Sequence, residues 1–355
     1  MKGIACCLSA FLLLLLPEES AQGKAASPTP APPPNCPSSA PPSLSLTSTQ
    51  CGQSSVLRTR QTWLQWMWNS FTETFMGSQD LEREEGGGLI FNGAPATIAE
   101  APFMAYIESF FADGSGAACS ASILSEKWIL TAAHCVVDSN NAFAVAAKVY
   151  VGNADNRYGA LHDADSVARD GAFNINNIGN GHDIAFYRLA TPLTFSPSIQ
   201  PICFPTTDTV LGTAISDCDQ RIYGWGKIDA AGQTSTNTLQ KLNVTVSADV
   251  SACSSLTDET VVCVRGDVAN SGACFGDSGG PLVVRYNGRA FVTGIASYVV
   301  GGCAPGIDGY TRASKYSALV QQAAVSGAID SSSDSIITQA LTPGLSQARL
   351  LEGYH

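Results

Sequence analysis

The sequence has no excess of basic charge, no C-x-x-C pair and, beyond its first two dozen residues, no long apolar run. Lys and Arg number 19 against 30 Asp and Glu, a formal charge of −11. Nothing in that balance points to nucleic acid or an anionic membrane as a partner. The 12 cysteines lack the usual zinc spacing; in a secreted chain they read as disulfides. No stretch past the start is long and apolar enough to cross a bilayer. The 355 residues suffice for one or two domains.

What is present begins with a leader. Lys2 precedes an almost wholly apolar Ile4 to Leu16, which contains Cys6 and Cys7. The run is short for a membrane anchor and fits a signal peptide, 1–23, with small residues around a cleavage point after Gly23. After its removal no membrane partner is expected. Residues 24–89 read as a linker and pro-segment. Prolines crowd 27–42, which favours an extended, solvated chain. Leu64, Met67, Trp68, Phe71 and Phe75 then recur at helical spacing, widened by Trp63 and Trp66. This helix either packs on the following domain or stands alone in a weakly ordered leader. Glu82 to Glu85 and Gly86-Gly87-Gly88 form an accessible stretch suited to nicking.

The strongest chemical signal is Cys274-Phe275-Gly276-Asp277-Ser278-Gly279-Gly280-Pro281-Leu282. Small and turn-forming residues surround one hydroxyl, as a nucleophilic serine requires. Upstream lie Thr131-Ala132-Ala133-His134-Cys135 and Asp183-Ile184-Ala185-Phe186-Tyr187-Arg188-Leu189. These three strings, in this order, resemble the motifs of the trypsin/chymotrypsin family of secreted serine proteases. The resemblance covers about 90–323. It implies an all-β fold of two six-stranded antiparallel barrels with a C-terminal helix, and no metal or cofactor. Ser278 would attack the scissile carbonyl, His134 would move the proton and Asp183 would orient His134. The Gly276 and Ser278 N–H groups would hold the oxyanion. Partners would be protein or peptide substrates, protein inhibitors and an activating protease. The rival reading is a non-catalytic homologue that binds proteins, but such chains lose a triad residue or the oxyanion glycine, and none is lost here.

Ile90-Phe91-Asn92-Gly93-Ala94 resembles the start of the mature domain in that family. Cleavage before Ile90 would free an α-amine to pair with Asp277, a buried acid that needs a cation. Leu89 precedes the cut. The activator therefore prefers an apolar residue, or the enzyme cuts itself, or cleavage near Arg83 is followed by trimming.

By the same resemblance Gly272 occupies the floor of the primary pocket, where trypsin-like members hold an aspartate. Ser297 and Val299 form its wall, and Val299 narrows it. Small or medium apolar side chains are then preferred before the scissile bond. Asp308 falls at a second floor position. Pointing inward it would admit Arg or Lys; capping a turn with Gly309 it would not. The resemblance also pairs Cys119 with Cys135 and Cys274 with Cys303; Cys253 and Cys263 look like a local pair. Val284 replaces a family cysteine, leaving Cys36, Cys51, Cys203 and Cys218 unassigned. Cys203–Cys218 with Cys36–Cys51 would release the leader on activation; Cys51–Cys203 with Cys36–Cys218 would keep it. An even count of cysteines after residue 90 favours the first.

Asn243-Val244-Thr245 is an N-glycosylation acceptor. Strands are expected over 103–110, 121–124, 128–131 and 239–246, with loop over 152–182, where His162 reads as a surface residue and His182 as a partly exposed neighbour of Asp183. A helix is expected over 312–325, and 324–355 reads as a disordered tail or a partner-binding peptide.

Overall fold

The strands alternate and then close on themselves, which leaves few unpaired edges. In chain order they are β1 (Ser43–Leu44), β2 (Ala94–Pro95), β3 (Met104–Phe110), β4 (Gly116–Ile123), β5 (Trp128–Thr131), β6 (Ala146–Val151), β7 (Ala160–Asp170) and β8 (Ala185–Leu189). There follow β9 (Phe204–Pro205), β10 (Gln220–Gly224), β11 (Gln240–Ser247), β12 (Val261–Gly266), β13 (Pro281–Tyr286), β14 (Arg289–Val300), β15 (Ile307–Arg312), the helix α1 (Ser317–Val325) and β16 (Ile336–Ala340). This computed structural model describes residues 43–44, 51–54, 90–206, 218–247, 249–255, 260–286, 288–303, 306–325 and 336–345. The expected signal peptide, proline-rich stretch and 58–76 helix lie outside them. Among the described residues no helix is long and apolar enough to cross a membrane.

Strands β7-β6-β3-β4-β5-β8 form the first antiparallel barrel, closed by β7 pairing with β8. Strands β10-β13-β14-β15-β12-β11 form the second, closed by β10 on β11. This is the two-barrel fold with a C-terminal helix. Inward positions are apolar: Ile107, Val149, Val167 and Phe186 are fully buried in the first barrel. Ile222, Val264 and Leu282 do the same in the second, joined by Ile90.

Three expectations give way. Residues 160–170 are a strand, not loop. Asp163 and Asp165 hide its character in the sequence, because β7 is held by partners on both sides rather than by its own apolar content. The stretch after 324 is not all tail. β16 pairs with β7, Ile336 opposite Asp170 and Ala340 opposite Ser166, and Ile336 and Leu341 are buried against the first barrel.

Third, Cys51 bonds Cys203, across 152 residues, rather than Cys203 bonding Cys218. Cys218 is also disulfide-bonded, its partner outside the described residues. The short segment 51–54 is seated in the fold. The Gly52 N–H donates to the Pro201 carbonyl, its own carbonyl accepts from Ala290, and Ser54 Oγ donates to the Ala99 carbonyl. Gly52 has φ +71°, and a Cβ there would lie 2.4 Å from the Ala290 oxygen, so only glycine fits.

Candidate active site

β5 ends at Thr131, and the chain turns through a short 3-10 segment, Ala133–Cys135. Cys135 is bonded to Cys119 of β4, which fixes His134 at the strand's end. Asp183 stands just before β8, buried entirely. Its Oδ1 accepts the His134 backbone N–H at 2.9 Å and its Oδ2 faces His134 Nδ1 at 2.7 Å. A buried carboxylate is tolerable only when satisfied in this way. Burial works to lower the His134 pKa, but the charge of Asp183 and its hydrogen bond outweigh that and raise it. Nδ1 thus carries the proton, and Nε2 is left as the base.

Ser297 of β14 donates from Oγ to Asp183 Oδ2 at 2.5 Å, and Thr311 Oγ1 donates to the Asp183 carbonyl at 2.9 Å. Ser297 thus adds a further hydrogen bond to the carboxylate that holds His134, beside the two from His134 itself. The Ser297 hydroxyl is spent on the carboxylate. Ser278 is placed differently: with His134 it lines a cavity of about 320 Å³.

The loop bearing Ser278 depends on its glycines. Gly276 and Gly279 have φ +100° and +75°, and a Cβ on Gly279 would stand 2.1 Å from Thr131 Oγ1. Ser120 ties the loop to the first barrel, donating its N–H to the Ser278 carbonyl and its Oγ to the Gly276 carbonyl. Cys274 is bonded to Cys303, and Cys253 to Cys263.

Beneath the loop lies Asp277. Its Oδ1 accepts from the Gly226 N–H at 2.8 Å and its Oδ2 from the Cys274 N–H at 2.9 Å. Burial pushes its pKa up to about 7, against these two bonds. No ion pair reaches it among the described residues. Ile90 is fully buried in the second barrel's core, with φ +49°. Its carbonyl accepts from Gly93, and Phe91 pairs with Gly272.

The cavity wall includes Ser297, Tyr298 and Val299, and Asp308 reaches it from β15. Asp308 Oδ2 accepts the Ala273 N–H at 2.8 Å, while the buried Oδ1 has no partner among the described residues. Its side chain caps no turn: it sits in a strand opposite Val264 and Val299. Gly272 lies behind it, since a Cβ there would be 3.0 Å from Asp308 Oδ2. Sequence reasoning passed over Phe275 and Ile178, which also line the cavity. Phe275 was visible inside the glycine-rich string around Ser278 and is 58% exposed. Ile178 stands alone among Asn and Gly and gave no signal. Asn243 is exposed on β11, and its Oδ1 accepts from Arg221 Nε. His162 is partly exposed on β7.

Comparison with known proteins agrees with this geometry. The family pattern described as trypsin matches residues 90–320. A CLIP domain-containing serine protease B4 of Anopheles gambiae is 28% identical over 249 residues, 64% of this chain and 68% of that protein. Chymotrypsin-like elastase family member 1 of Bos taurus is 33% identical over 187 residues, 51% of this chain and 68% of that protein. The solved structure of HL collagenase shares the fold with a TM-score of 0.56 and 29% identity, covering 67% of this chain and 99% of its own. With two closed barrels, a carboxylate-bound histidine and a match that spans most of both barrels, the chain belongs to the trypsin family of serine proteases.

Proposed function

We propose that this chain is a secreted zymogen of an endopeptidase in which Ser278 is the nucleophile, His134 the general base and Asp183 its orienter. The observation that carries the reading is the shared cavity: Ser278 and His134 line it together, and Asp183 stands behind the histidine. Ser278 Oγ attacks the scissile carbonyl and passes its proton to His134 Nε2. The Gly276 and Ser278 N–H groups receive the developing oxyanion. His134 then protonates the leaving amine, and water releases the acyl group by the same path.

Activation is by cleavage before Ile90. Asp277 is a buried acid with no counter-charge among the described residues, and the freed α-amine supplies one. The Cys51–Cys203 bond supports a leader that stays attached after the cut. The activating protease and any protein inhibitor meet the accessible junction and the cleft respectively. The disulfides and the apolar start support an extracellular route, with Asn243 as its glycan acceptor.

For substrates, Val299 favours small or medium apolar side chains. The unpaired Oδ1 of Asp308 supports acceptance of Lys or Arg as well, because a cation entering there meets a buried carboxylate rather than none. The test is a peptide library digested by the processed protein, read by mass spectrometry together with the new N-terminus. Cuts after both Leu and Lys or Arg from a protein beginning at Ile90 are expected. An Ile90 terminus with no cuts would sink the proposal.

A further inference from the structure

His182, next to the triad carboxylate, has a left-handed backbone, φ +62°, which non-glycine residues seldom adopt without a tertiary reason. Its ring Nδ1–H donates to Asp170 Oδ2 at 2.9 Å. Its backbone N–H donates to the Tyr316 hydroxyl at 3.0 Å, and the two rings meet edge to face at 6.3 Å. Its carbonyl accepts from the Ile184 N–H at 2.9 Å, so a tight turn closes around Asp183.

Each anchor is itself held. Asp170 Oδ1 accepts the Ala172 N–H at 2.9 Å, and the Asp170 carbonyl accepts from Arg169 at 2.8 Å. The Asp170 N–H donates to the Ile184 carbonyl at 3.2 Å. Asp170 ends β7 where β16 pairs with it, Ile336 opposite Asp170. Tyr316 is buried just ahead of α1. The peptide carrying Asp183 is thus fixed from the end of the first barrel and from the C-terminal segment. Asp183 must meet both the backbone and the ring of His134 at once, which leaves little angular freedom.

We propose that His182 is a positioning residue for the triad carboxylate, locked by Asp170 and Tyr316, with β16 as the buttress of Asp170. This rests on the reading of Asp183 as the orienter of His134. His182 acts through Asp183, so its loss reduces turnover rather than substrate binding.

The experiment uses the processed full chain as wild type, H182N, D170A and D170N. Readouts are kcat and KM on a peptide substrate, the melting temperature, and the low-field NMR resonance of the His134 Nδ1 proton. H182N is the principal variant, because asparagine accepts the left-handed backbone yet loses the ring's bond to Asp170. We expect kcat to fall about tenfold in H182N and D170A, with KM within about twofold. The Nδ1 resonance should move upfield in both. D170N should recover most of the loss, since its amide can donate to the ring in the other tautomer while its oxygen keeps the Ala172 N–H. Wild-type kcat and an unmoved resonance in H182N would overturn the inference. So would a loss in H182N that merely tracks a lowered melting temperature. A wild-type protein that is folded, cut at Ile90 and inactive would instead sink the assignment of Ser278, His134 and Asp183, and this inference with it.

Discussion

Asp308 should make substrate choice depend on pH. Burial pushes its carboxyl up to about 7, the Ala273 N–H pulls against this, and the nearby charge of Asp277 adds to the rise. An ionised Asp308 welcomes a lysine; a protonated one offers it no charge. The ionised fraction is about nine-tenths at pH 8 and about one-tenth at pH 6. The ratio of kcat/KM for a Lys substrate to that for a Leu substrate should therefore fall about tenfold between those values. Both substrates would use the same proposed pair, His134 and Ser278, so titration of the histidine cancels in the ratio. The specificity constant also reports the free enzyme, so the lowering of the pKa by a bound cation does not enter. Asp308→Asn should flatten the ratio and lower its upper plateau by about 30- to 100-fold, the worth of a lost charge partner in a desolvated pocket. The assay is competition between two otherwise identical fluorogenic peptides from pH 5.5 to 8.5. A ratio that stays level in the wild type, or an unchanged plateau in Asp308→Asn, would refute the argument.

Further outcomes follow from the same structure. Ser278→Ala should lower kcat by at least about 10⁴-fold, the scale typical of Ser-His-Asp proteases, with the fold intact by circular dichroism; turnover near wild type would move the nucleophile elsewhere. Removing both leader tethers, Cys51→Ala together with Cys218→Ala, should release the leader from the processed enzyme, seen as a mass loss without reductant, whereas the wild type releases it only when reduced. In the uncut chain Asp277 is raised above its unfolded pKa of about 3.9, so the stability it allows is complete below pH 4 and is lost as pH rises to about 7. On an inactive Ser278→Ala background, Asp277→Asn should remove a fall on the order of a few kcal/mol across that window in urea melts. A pH profile identical in the two proteins would show that burial of Asp277 carries no such penalty.

The catalytic strings were legible in the sequence because their chemistry is local. The loop proposed to carry the nucleophile needs its glycines within a few residues, and Gly276, Gly279 and Gly280 all lie within two residues of Ser278. The strand endings that carry His134 and Asp183 are equally contiguous, and the apolar runs Trp128–Thr131 and Ala185–Leu189 announce the strands that hold them. Barrel closure followed from these strings only through resemblance, since no residue in them states which strands pair.

Other features depended on partners far away along the chain. β7 is polar in sequence and becomes a strand because β6, β8 and β16 supply its hydrogen bonds. β16 is five residues that could not hold a conformation alone; the side of β7 opposite β8 gives it one. The Cys51–Cys203 bond joins residues 152 apart, which parity of the cysteine count could not foresee. The role of Asp308 turned on the register of β15 against β12 and β14, which aims one oxygen at the Ala273 N–H and leaves the other bare. Local sequence thus determined which groups carry the chemistry, because a reactive group needs its immediate backbone shaped. Tertiary structure decided what surrounds those groups, because orientation, burial and cross-linking are properties of contacts between distant segments.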